Sequence, residues 1–149
     1  MSDIDYIALT KLCTNCQFQQ VKYNSNAFIS IPIFCLCRDA SNNGRGLFLD
    51  LDGAEGDVQV IAKGSNTFNS NDGDGIYSYI DDSMNLFIDV EEGGSVQSCG
   101  NLDDDIDTEN CGASATAAFT GSGYTCDKIY ESSNEGTVVR PDCQPCPDP

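Results

Sequence analysis

The side chains best equipped for chemistry are nine cysteines, spaced as three close pairs, Cys13/Cys16, Cys35/Cys37 and Cys143/Cys146, with Cys99, Cys111 and Cys126 standing apart. Sulfur at this density either closes disulfides or holds a soft metal. A disulfide framework is the first reading, and all nine are candidates. Nine is odd, so at least one thiol has another fate, a bond to a second chain included. Zinc is the rival reading, because two thiolate knuckles satisfy its tetrahedral geometry. Cys13/Cys16 with Cys35/Cys37 is the best such set, and Cys143/Cys146 could replace either pair. One knuckle, however, is Cys-x-Cys inside an apolar run.

The chain has no histidine. That removes the Ser-His-Asp and Cys-His couples, mixed cysteine–histidine zinc sites and the one side chain that titrates unaided near neutrality. No phosphate-cradling loop or dinucleotide fingerprint is present. The expectation is a protein that is not an enzyme.

Hard oxygen ligands are the second chemical resource. Between Cys99 and Cys111 the loop from Asn101 to Glu109 carries Asp103, Asp104, Asp105, Asp107 and Glu109, and a second cluster, Asn69, Asn71, Asp72 and Asp74, precedes Ile76. Calcium takes about 6–8 oxygens, so Asp103, Asp105, Asp107, Glu109, Asp72 and Asp74 are the candidate ligands. No glycine marks the middle of the first loop as an EF-hand would require. Both clusters equally read as solvated turns, in which Asp and Asn bond their own backbone. Tyr77 and Tyr79 fall on one face of a strand, where aromatic rings stack on sugars or cover an interface. None of this requires a cofactor; calcium is the first ion the pattern would take and zinc the second.

A net charge of −17 argues against nucleic acid as a partner. No run approaches the roughly 18–20 apolar residues of a membrane span, so membrane insertion is not expected. The cysteines point to an extracellular or cell-surface location. Met1 to Asp5 has neither the basic start nor the apolar stretch of a secretory signal, so no signal peptide is visible.

The elements that must position these groups are strands. Apolar residues alternate with polar ones in 27–37, 47–51, 58–62, 76–80 and 86–90, and again more weakly in 113–120, 124–130 and 137–139. Turn-forming Gly, Asn, Asp and Ser separate them, and helical periodicity is nearly absent. The runs 47–51 and 58–62 read as one hairpin, and 76–80 and 86–90 as another. About eight or nine short strands at this spacing predict an all-β fold, a disulfide-stabilised antiparallel β-sandwich of jelly-roll type, without internal repeat. Residues 1–12 are expected to form an extended assembly strand carrying Ile4, Tyr6, Ile7 and Leu9, 13–140 the sandwich, and 141–149 a Cys/Pro-rich tail without strand-forming capacity.

These features together predict a non-enzymatic, extracellular subunit that assembles with copies of itself into a fibre or surface layer. In that picture the first strand is contributed to a neighbour's sheet edge. The alternatives are a calcium-assisted module binding carbohydrate or a cell surface, and an intracellular protein stabilised by a four-thiolate zinc site.

Overall fold

The computed structural model describes residues 29–33, 44–51, 56–81, 84–133 and 136–148. They form strands only: β1 (Ile29–Ile33), β2 (Leu47–Leu51), β3 (Gly56–Ala62), β4 (Ser65–Thr67), β5 (Ile76–Ile80), β6 (Met84–Val90), β7 (Ser95–Gln97), β8 (Ile106–Asn110), β9 (Thr116–Gly121), β10 (Tyr124–Thr125), β11 (Ile129–Ser133), β12 (Thr137–Val139) and β13 (Cys143–Gln144). The chain visits three sheets in rotation. One sheet orders β1-β3-β6-β9-β12, the second β13-β10-β7-β4 and the third β11-β8-β5-β2. Each turn of the path places a strand beside its counterpart from the turn before, so the architecture is a parallel β-solenoid.

The antiparallel sandwich is therefore overturned, since every strand pairing among the described residues is parallel. Alternation of period two says that one face of a strand is buried; it does not say which way the neighbouring strand runs. Nor do the two expected hairpins form. β2 pairs with β5 and β3 with β1 and β6, so these two segments lie in different sheets. Among the described residues thirteen strands stand where eight or nine are expected, in part because three of them, β4, β7 and β13, are two or three residues long, too short for alternation to register. One of these, β13, lies in the tail.

A repeat is present after all. Leu47, Ile76, Ile106 and Ile129 occupy one column, and the coils between them span 29, 30 and 23 residues. It escapes notice in the sequence because the stacked positions share burial rather than identity: Leu49, Ser78 and Thr108 form the next inward column, and Ser78 Oγ donates to Thr108 Oγ1 at 3.0 Å. The remaining inward columns, Val58-Leu86-Ala117 and Val60-Ile88-Phe119 among them, fill a continuous core. Each fully buried Leu, Ile or Val there is worth about 1.5–3 kcal/mol relative to exposure.

Two disulfides tie the last coil to the body, Cys99–Cys146 and Cys126–Cys143. With their sulfurs bonded to Cys126 and Cys99, Cys143 and Cys146 offer no thiolates for zinc. Cys111 is half-buried just after β8. Cys13, Cys16, Cys35 and Cys37, and the assembly strand of Ile4, Tyr6, Ile7 and Leu9, lie outside the described residues. The two disulfides fit an oxidising compartment.

Candidate functional site

The site lies where the loops 68–75 and 98–105 turn into the sheet β2-β5-β8-β11. Backbone bonds stack these corners: Gly46 N–H donates to Asp74 O (3.0 Å) and Gly75 N–H to Asp104 O (2.9 Å). Arg45, Asp74 and Asp104 thereby form one column. Beside it runs the outward column of the sheet, Phe48, Tyr77, Asp107 and Tyr130. Strand spacing of about 4.8 Å brings side chains from successive coils into contact although they lie some thirty positions apart in sequence.

Three carboxylates converge there. Asp74, Asp104 and Asp107 each offer an oxygen, and these oxygens lie within 4.8 Å of one another. Asp74 is buried; its Oδ2 accepts from Arg45 Nε at 3.0 Å and its Oδ1 from the Asp104 backbone N–H at 3.3 Å. Burial, followed by the charges of Asp74, Glu109 and Asp104, pushes Asp107 up to about 6, while Arg45 offsets part of this. Asp107 Oδ1 is buried with no hydrogen-bond partner. The carboxyl of Asp104 is also raised, chiefly by burial and then by Asp74. A cluster that resists full ionisation gains by accepting either a proton or a cation.

The aromatic part of the site is committed to the fold. Phe48 and Tyr77 stack with centroids 5.3 Å apart and planes 8° from parallel, and the Arg45 guanidinium lies 3.8 Å from the Tyr77 centroid. Tyr77 does share the outer face with Tyr79, as its strand position implies. Its ring, however, already packs against Phe48 and Arg45. Its hydroxyl donates to Glu109 Oε1 at 3.2 Å, and burial together with Glu109 pushes the phenol up to about 12. The exposed ring of the column is Tyr130, 52% accessible and in register with Asp107.

The candidate calcium ligands separate by orientation. Asp74 and Asp107 come together, joined by Asp104. Asp105 turns inward instead: its Oδ1 accepts from Asn101 Nδ2 (2.9 Å) and its Oδ2 from the backbone N–H groups of Asp127 (2.9 Å) and Lys128 (3.1 Å). It is a structural acceptor closing the shortened corner of the next coil. Asp72 and Asp103 are exposed, and Glu109 sits at the rim, bonded to Tyr77. The sequence signal that would have singled out Asp104 is its place one residue before the corner, equivalent to Asp74, which shows only once the coils are aligned. No protein-family model, curated protein or solved structure matches the chain.

Proposed function

We propose that the chain is a non-catalytic, extracellular binding module that takes a divalent cation, calcium first, between Asp74, Asp104 and Asp107, and uses it to engage a carbohydrate or cell-surface ligand. The observation that carries this reading is the convergence of the three carboxylates. Calcium–oxygen distances of about 2.3–2.6 Å put two ligands of one ion at most about 5 Å apart, and the 4.8 Å separation lies within that limit. Three carboxylates leave part of a coordination shell of about 6–8 oxygens open, which water or vicinal sugar hydroxyls complete. Tyr130 supplies an exposed ring in the same column against which a sugar face packs. Titration of the chelator-treated chain with calcium by calorimetry tests the reading. Saturable heat and a rise in melting temperature, both lost in the Asp104→Asn/Asp107→Asn double variant, are expected. No heat and no thermal shift at millimolar calcium would refute it.

A structural role in a fibre or surface layer is the second reading. It is favoured by one observation: among the described residues no strand pairs with the outer edges of β11, β12 and β13. It ranks second because those strands are short, the Glu131–Arg140 ion pair lies at the edge and prolines follow β12 and β13, devices that blunt an edge against pairing. Its test is the particle size of the full chain by light scattering across a concentration series.

A further inference from the structure

The last coil is fastened in an unusual way. Residues 141–148 contribute only the two-residue strand β13, in register with β10 through Tyr124↔Cys143 and Thr125↔Gln144. The polar ties around it are the Cys126 N–H to Gln144 O bond and the Cys146 N–H to Asp127 Oδ1 bond, both 3.0 Å. Asp142, Gln144, Pro145, Pro147 and Asp148 are exposed, and Pro145 and Pro147 have no N–H to donate. Pro141 is buried and Cys143 packs against the core, but so little further buried surface and so few hydrogen bonds do not order a segment of this length against its chain entropy. Two covalent bonds do: Cys143 to Cys126 and Cys146 to Cys99, whose body-side cysteines are buried.

We propose that these two disulfides form a redox latch: on reduction, residues 141–148 leave the body and the outer edge of β10 is bared, while the coils from β5 to β9 stay folded. In each disulfide the S–S bond breaks and two electrons and two protons arrive from a dithiol. The products are two protein thiols and the disulfide of the reductant. Independence of the upstream coils follows from the architecture, in which each coil rests on its immediate neighbours and fraying at one end need not propagate. The bared edge presents the unpaired N–H and C=O groups of β10, a pairing site that the oxidised tail covers.

Hydrogen exchange followed by mass spectrometry on the full chain tests this. The variant Cys99→Ala/Cys126→Ala/Cys143→Ala/Cys146→Ala, handled without reductant, removes only these two bridges. Exchange at 124–126 and 143–146 is expected to accelerate by roughly a hundredfold, the scale of a lost disulfide. Protection at 76–80 and 86–90 is expected to persist. Folded wild-type chain exposed briefly to dithiothreitol and then pulse-labelled gives the same local pattern and bypasses any folding defect of the variant. Unchanged protection at 124–126 in the reduced wild type would overturn the latch, because noncovalent contacts would then suffice. Simultaneous loss of protection at 76–80 would overturn it too, because the bridges would then be holding the whole solenoid.

Discussion

The side-chain oxygen of Asn101 accepts two hydrogen bonds from Asn71, one from its backbone N–H and one from its Nδ2, each 2.9 Å. Both residues are buried at equivalent corners of successive coils, and Asn101 Nδ2 in turn donates to Ser98 Oγ (3.2 Å) and Asp105 Oδ1 (2.9 Å). The pair rivets one coil to the next beneath the carboxylate cluster. Replacing Asn101 by Leu keeps the branched outline of the side chain but leaves the Asn71 donors and one Asp105 lone pair unsatisfied. A loss of about 2–4 kcal/mol is expected from denaturant unfolding. A loss below about 0.5 kcal/mol would mean the rivet is not a structural element.

Gly75 is the tightest corner. A Cβ there would collide with Ser98 Oγ and lie 2.5 Å from Asn101 Nδ2 and 2.8 Å from the Asp105 carbonyl, so Gly75→Ala displaces the same buried network. Destabilisation of at least about 1–3 kcal/mol is expected, as for other overpacked sites. Gly44→Ala, where nothing lies within 4 Å, serves as control and is expected to change stability by less than about 0.5 kcal/mol.

Asp107 makes stability depend on pH in the direction opposite to a salt-bridged carboxylate. Its folded value of about 6 exceeds the ordinary value of 3.8, so between these limits the folded chain holds more protons than the unfolded one. This group's contribution is complete below the ordinary value and is lost as pH rises through about 6. Asp107→Asn removes that loss. In chelator, the variant is expected to melt higher than wild type at pH 7.5, and the difference is expected to shrink towards pH 4.5. A difference independent of pH would contradict the assignment.

The inward columns carry the hydrophobic stability. Ile80 is fully buried, and Ile80→Ala is expected to cost about 2–5 kcal/mol in denaturant unfolding. Leu102, 73% accessible on the outer loop, is expected to tolerate alanine within about 0.5 kcal/mol. Equal effects at the two positions would mean that the columns are not the core.

The strands at 47–51, 76–80 and 86–90 were legible because alternation is written locally, in which residues can share a buried face. The polar turns between them were legible for the same reason. Strand direction was not, since a corner of a few polar residues serves equally to reverse a strand or to send it into the next sheet; long-range stacking decides between them. That stacking alone brings Asp104 beside Asp74, turns Asp105 inward as a structural acceptor, and covers the face of Tyr77 with Phe48 and Arg45. It also chose the partners of the cysteines, joining Cys99 to Cys146 across 47 residues, because a sulfur bonds whichever sulfur the coils bring within reach and sequence spacing carries no record of that distance.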